Sequence, residues 1–232
     1  MPMTDTTGPD TGAAGRLLDA ALAHVPFDGW SDATLRAAAE DAGISTALAR
    51  ALYPRGAVDL ALAFHARGDA AMVARLEAED LSGLRFRDRI ATAVRYRLEA
   101  VEDRELVRRG TTLFALPQHA ADGARAIWGT ADLIWTALGD TADDVNWYTK
   151  RATLSAVYGS TVLYWLGDDS TGSRGTWEFL DRRIDDVMQI EKFKADIRGN
   201  RVASAILAGP MALLGRIRPP ASRASDLPGH TG

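Results

Sequence analysis

The side chains able to do acid–base, nucleophilic or metal chemistry are poorly placed for it in this 232-residue chain. Cysteine is absent, which excludes a thiol nucleophile, thiolate zinc sites, iron–sulfur clusters and disulfides. His24, His65, His119 and His230 are scattered, with no Glu-x-x-His or His-x-x-x-His spacing. A self-contained di-iron or zinc site is therefore not expected. No Gly-x-Ser-x-Gly elbow or phosphate-binding glycine loop occurs, and no histidine has a plausible triad partner. The acid pairs Asp143-Asp144, Asp168-Asp169 and Asp185-Asp186 are adjacent, so on a helix they diverge and in turns they cap. We expect no catalytic residue, no metal and no resident cofactor; the chain reads as a binding protein, not an enzyme.

The elements that would position any binding site read as helices. Hydrophobic residues make up 47% and charged residues 25%, ordinary for a globular chain and against global disorder. β-Branched residues are dispersed without sustained alternation, so the expected fold class is all-α, with about ten helices. Expected helices cover 14–26, closed by Pro26, then 31–42, stopped at Gly43, and a short third capped by Ser45. Longer ones cover 57–81, 86–101, 121–138, 143–166, 176–191 and 200–218, with only short elements around Leu116-Pro117. Net charge is −4, which argues against a generic nucleic-acid binder. From Glu191 onward, however, seven Lys/Arg face three Asp/Glu, a basic tail on an acidic body that suits an anionic surface. The opening residues contain two acids and no base, so they are expected to be neither a signal nor a transit peptide.

Three stretches carry the functional reading. The segment Leu35-Arg-Ala-Ala-Ala-Glu-Asp-Ala-Gly-Ile-Ser45 has the helix, glycine turn and capping serine of a helix-turn-helix. Its would-be recognition segment, Thr46-Ala-Leu-Ala-Arg50-Ala-Leu-Tyr-Pro54-Arg-Gly-Ala57, keeps only Arg50 and Arg55 as cations. Phosphate contacts dominate DNA affinity, so the scaffold reads as retired from DNA binding, packed around Leu35, Ile44 and Leu48. The second stretch, 143–166, is apolar around nearly its whole circumference, which calls for burial on all sides. Ala152, Ser155, Ala156, Gly159 and Ser160 between its aromatics would leave volume, and Leu154, Tyr158, Val162 and Trp165 are the pocket candidates. In the third, Val202, Ile206, Leu207, Met211, Leu213, Leu214 and Ile217 oppose small residues, Arg201 and Arg216, with no acid anywhere. That pattern fits a helix lying in a bilayer interface.

Four segments carry a family resemblance: Leu17-Leu-Asp-Ala-Ala-Leu-Ala-His-Val-Pro-Phe-Asp-Gly-Trp30, Leu52-Tyr-Pro-Arg-Gly56, Asp144-Val-Asn-Trp-Tyr-Thr-Lys-Arg151 and Thr176-Trp-Glu-Phe-Leu-Asp-Arg-Arg-Ile-Asp185. With the three features in this order, the chain resembles, from about Gly15 to Ile217, the ubiquinone-biosynthesis accessory lipid-binding family of mitochondria and α-proteobacteria. The resemblance implies a tetracycline-repressor-like helical fold, usually dimeric, that binds isoprenoid lipid in its C-terminal part. It implies membrane contact through the last amphipathic helix, with Arg216 among its contact residues. It further implies delivery of a quinone intermediate to a demethoxyubiquinone hydroxylase. The family's partner-facing patch maps onto Ile134, Trp135, Asp144, Trp147 and Tyr148, with Arg151 in the same motif. A family histidine appears here as Gln118.

The expected organisation is a disordered lead-in at 1–13, a helix-turn-helix-like unit at 14–56 and a lipid-binding and dimerisation bundle at 57–191. A linker and amphipathic membrane helix at 192–218 and a disordered tail at 219–232 complete it. The expected setting is the bacterial cytoplasm, peripheral to the inner membrane, with no nucleic acid as partner. The alternative from another class is a ligand-sensing transcription regulator of the tetracycline-repressor type.

Overall fold

A computed structural model of the protein describes residues 9–140 and 145–199, with side chains from 12 to 140 and from 147 to 189. Asp144 and the expected membrane helix, Val202 to Ile217, lie outside the described residues. The described chain is helical throughout: α1 (Pro9–Asp28), α2 (Asp32–Asp41), α3 (Thr46–Leu52), α4 (Ala57–Ala78), α5 (Phe86–Glu99), α6 (Arg104–Phe114), α7 (Ala120–Ala137), α8 (Val145–Leu166) and α9 (Arg174–Gly199). A single 3₁₀ turn, Thr171–Ser173, joins the last two.

Two apolar cores stack along α4. The first gathers Leu17, Val25, Trp30, Leu35, Ile44 and Leu60 from α1–α4 and the connecting turns. The second gathers Met72, Val94, Ile134, Leu154, Trp165 and Ile184 from α4, α5, α7, α8 and α9. The helix-turn-helix is built as expected. Ser31 accepts a hydrogen bond from the Thr34 amide, and Ser45 from the Leu48 amide, each satisfying an orphan donor of a first turn. Gly43 supplies the left-handed turn at φ +64°.

Several boundaries differ from expectation. α1 begins at Pro9 and Ala13 is already in the core, so the lead-in is shorter than 13 residues. Pro26 does not end α1: the helix runs on two residues past it, to Asp28. Leu48 is partly exposed; Ala49 and Tyr53 take its place in the core, and the Tyr53 hydroxyl donates to the Ala14 carbonyl at 3.0 Å. Residues 192–199, expected as a linker, continue α9.

The short elements near Leu116 are in fact an eleven-residue helix, α6. Two of its arginines hold the end of α8. Arg104 Nη1 donates to the carbonyls of Trp165 and Asp168 at 3.0 and 2.6 Å, and Arg108 Nη2 to that of Leu166 at 2.7 Å. Cations thus satisfy the carbonyls that a helix C-terminus leaves open. Beyond this end, Asp168 accepts the Ser170 and Thr176 amides and the Thr176 hydroxyl, which hold its carboxyl far below the usual range.

A buried ion pair, Arg97 Nε to Asp69 Oδ1 at 2.6 Å, joins α5 to α4. Gly68 makes room for it: a Cβ there would come within 2.5 Å of Arg97 Nη1. We therefore expect Gly68→Ala to lower unfolding free energy by about 1–3 kcal/mol, measured by chemical denaturation. An unchanged stability would show that the pair yields without strain.

Candidate functional site: an apolar cavity and an aromatic patch

α8 presents different faces to different neighbours, and the site follows from them. Leu154, Val157, Trp165 and Leu166 enter the second core. Ala152, Ala156, Leu163 and Tyr164 are exposed, Leu163 to 63%. The expectation of burial all round α8 therefore fails among the described residues. Tyr158, Gly159, Val162 and Leu163 line a cavity of about 430 Å³.

The cavity lies between the two cores. Trp30 closes it from the helix-turn-helix side, and Ala61, Phe64 and His65 from α4. α6 contributes Leu106, Val107, Gly110, Thr111 and Phe114, spaced i, i+1, i+4, i+5, i+8, so one helical face is given to the cavity. α7 contributes the small residues Ala120, Gly123 and Ala124 together with Ile127. Gly123 is required where it stands, since a Cβ would come within 2.7 Å of Phe114 Cβ. The volume falls within the roughly 300–1,000 Å³ typical of small-molecule sites. Its lining is mostly apolar, which suits an apolar ligand.

One polar network reaches this wall through His65, Arg97 and Tyr158. Thr130 Oγ1 donates to Asp69 at 2.9 Å and lies 2.8 Å from His65 Nε2, while Arg97 Nη2 approaches His65 Nδ1 at 3.3 Å. This pattern fits the His65 tautomer carrying its proton on Nε2. Burial lowers the His65 pKa from 6.5, with Asp69 opposing the effect and Arg97 adding to it. Burial likewise pushes the Tyr158 hydroxyl up.

The aromatic patch is at the start of α8. Trp147 and Tyr148 are half-buried and edge-on, with ring centroids 4.8 Å apart. Trp128 of α7, which sequence reasoning missed, lies 6.0 and 6.4 Å from them. The Arg151 guanidinium stacks 4.0 Å over Trp147 and is bound by Asp132 at 2.5 Å and Asp140 at 3.1 Å. Lys150 also binds Asp140, at 2.6 Å, and lies 5.1 Å over the Trp135 ring.

The comparisons with known proteins fall on these same elements. A COQ9 family model matches residues 120–191, from α7 through the patch and α8 into α9. Over 209 residues, 84% of the chain, identity is 31% to the ubiquinone biosynthesis protein COQ9, mitochondrial, of Drosophila melanogaster. The chain is similar to COQ9 proteins over most of its length. It is 28% identical over 186 residues, 75% of its length, to the Homo sapiens mitochondrial COQ9. The chain spans 64% of the length of the Drosophila relative and 57% of the human one. In fold it is similar to a TetR transcriptional regulator from Nitrosomonas europaea, with a TM-score of 0.62 and 20% identity. That likeness covers 75% of this chain and 97% of the regulator. The fold of this chain is thus TetR-like and all-α.

Of the four pocket candidates, Tyr158 and Val162 line the cavity. Leu154 and Trp165 point into the core instead, Trp165 beneath the Arg104 guanidinium at 4.7 Å. Of the expected patch, Trp147 and Tyr148 keep some exposure. Ile134, Trp135 and Arg151 are buried, so they brace the patch rather than face outward. The α6 periodicity and the His65–Asp69 spacing of four on α4 were legible signals for the missed lining. Trp128 had none, because its partners are distant in sequence.

The depressed His65 pKa sets a pH dependence. The neutral form is favoured by the fold, so its contribution is complete above 6.5 and is lost as pH falls below it. We expect the wild type to lose more stability than His65→Gln between about pH 7 and about pH 5, measured by thermal unfolding at each pH. Parallel acid losses would contradict this assignment.

Proposed function

We propose that this protein is a COQ9-type accessory lipid-binding factor of ubiquinone biosynthesis. It takes up an isoprenoid quinone precursor at a membrane and presents it to a demethoxyubiquinone hydroxylase. The observation that carries the proposal is the 430 Å³ apolar cavity, walled by α4, α6, α7 and α8. Each CH₂ moved from water into such a wall gains roughly 0.8 kcal/mol, so a polyprenyl chain leaving a bilayer needs a lining of this kind. The names of the relatives support the pathway: they are ubiquinone biosynthesis proteins. No helix among the described residues is long and apolar enough to cross a membrane. We assign peripheral contact with the inner face of a bacterial membrane to 200–218, on the wheel pattern of its sequence. The exposed α8 face of Ala152, Ala156 and Leu163 supports a homodimer seam.

The surface of α3 does not favour DNA as the partner. Arg50 is its sole cation, and Arg55 just beyond it is bound by Asp59 at 2.8 Å and Asp122 at 3.1 Å.

Gly159 provides the cleanest test of the cavity. A Cβ there meets nothing closer than Ile127 Cδ1 at 3.8 Å, and replacing a helical glycine gains about 0.5–1 kcal/mol. Gly159→Leu should therefore fold at least as stably as the wild type while filling part of the cavity. Organic extraction and mass spectrometry of the wild type should yield isoprenoid quinones or their precursors at near-stoichiometric levels, several-fold less in Gly159→Leu. An empty wild type, or one holding only a random sample of phospholipid, would overturn the proposal. The docking patch is tested separately: Trp147→Glu and Tyr148→Glu should each fold, at a cost of about 1 kcal/mol, yet fail to capture the hydroxylase in a pull-down. Capture undiminished in the double variant would rule the patch out.

A further inference from the structure

His65 is the one described histidine on the wall of the cavity between the two cores, and it shares that wall with Arg97 and Tyr158. Its side chain keeps 20% exposure, so the ring is in reach of whatever fills the cavity. The polar and titratable groups around it come from α4, α5, α7 and α8. α4 supplies Asp69, whose carboxylate is 3.4 Å from Nε2. α7 supplies the Thr130 hydroxyl at 2.8 Å and the Ala126 carbonyl at 3.2 Å, both neutral. α5 supplies the Arg97 guanidinium, 3.3 Å from Nδ1. From α8 the buried Tyr158 hydroxyl reaches the same Thr130.

With its proton on Nε2, the ring offers Nδ1 as an acceptor to Arg97 Nη2, and Arg97 with Asp69 leaves the cluster neutral. A second proton turns Nδ1 into a donor aimed at a guanidinium. The cluster then carries one uncompensated positive charge in a mostly apolar wall, because Asp69 is already bound by Arg97 at 2.6 Å and by Thr130 at 2.9 Å. Arg97 cannot draw back towards α4, since its Nη1 lies within 2.5 Å of where a Cβ on Gly68 would stand. The open space beside both side chains is the cavity. We propose that this cavity is proton-gated: a second proton on His65 draws water to the His65–Arg97 edge and expels an uncharged apolar ligand that the neutral ring retains.

This inference rests on the reading that the cavity takes an apolar ligand, and adds the condition under which it lets go. Burial already holds the His65 pKa below 6.5, and a ligand that displaces water from the wall lowers it further. Linkage requires the converse. Proton and ligand exclude each other, so affinity falls as pH drops through the pKa of the empty protein, and a proton is taken up on release.

The test titrates the full-length protein with diphenylhexatriene, an uncharged fluorophore that has no titratable group and brightens in apolar surroundings. Gly159→Leu should bind it several-fold more weakly at neutral pH, which assigns the signal to this cavity. Between about pH 7 and about pH 5 the wild-type Kd should rise about three- to tenfold, while that of His65→Gln should stay within about twofold. Far-UV circular dichroism checks that both remain helical. A wild-type Kd independent of pH, or an equal rise in His65→Gln, would overturn the gate and leave the parent reading standing. Undiminished binding by Gly159→Leu, with the pH effect intact, would place that effect outside this cavity and overturn it as well. Histidine NMR keeps the test decisive if His65→Gln does not fold: the probe should lower the titration midpoint of one Hε1 resonance of the wild type, and midpoints that all stay put would contradict the proposal. A probe that binds at neither pH would overturn it too, while the lipids extracted from the wild type report separately on the parent reading.

Discussion

The buried Arg97–Asp69 pair is the constraint on which the described fold turns. It joins α5 to α4, and through Thr130 it reaches α7. A buried pair adds little over well-packed apolar residues, but removing one member typically costs about 3–5 kcal/mol, because the other charge is left uncompensated. The consequence is geometric. α4, α5 and α7 are held in one arrangement by directional bonds, and the apolar side chains around them need not close every gap. Gly68 belongs to the same device, since the guanidinium lies against a backbone that has no side chain to displace it.

Given that frame, the cavities are what small residues and helix spacing leave behind. Gly110, Ala120, Gly123 and Gly159 keep α6, α7 and α8 thin where they face one another. α6 is held across this space by Arg104 and Arg108, which bind carbonyls at the end of α8. The helix-turn-helix has become one wall of the same construction. Trp30 closes the cavity and donates its Nε1–H to the Leu106 carbonyl at 3.1 Å. Arg55, which a DNA reader would offer to phosphate, is turned to Asp59 and Asp122. On the proposed reading, a TetR-like scaffold serves an interior instead of a groove-reading surface.

Helices were legible wherever one face is continuously apolar or a cap is explicit, as with Ser31, Ser45 and the stripe Ile90, Val94 and Leu98. α6 was not, because five of its eleven residues are charged or glycine and its role depends on tertiary partners. The cavity was half legible. The small residues and aromatics of α8 announced unfilled volume, and Tyr158 and Val162 do line it. Which remaining residues face that volume depended on the rotation of α8, which the sequence of a helix apolar on most sides does not define. Trp165 turned into the second core for this reason. The patch motif was recognisable as a string, but its burial pattern was not: Arg151 draws its partners Asp132 and Asp140 from α7 and the turn after it.

The central claim is that the cavity between the two cores holds a long apolar chain. A crystal structure of the full-length protein, purified without added lipid, tests it most directly. The account predicts continuous elongated density past Phe64, Val107, Ile127 and Val162, in contact with their side chains. A cavity closed by collapse of α6 onto α8, or one containing only discrete water peaks, would contradict it.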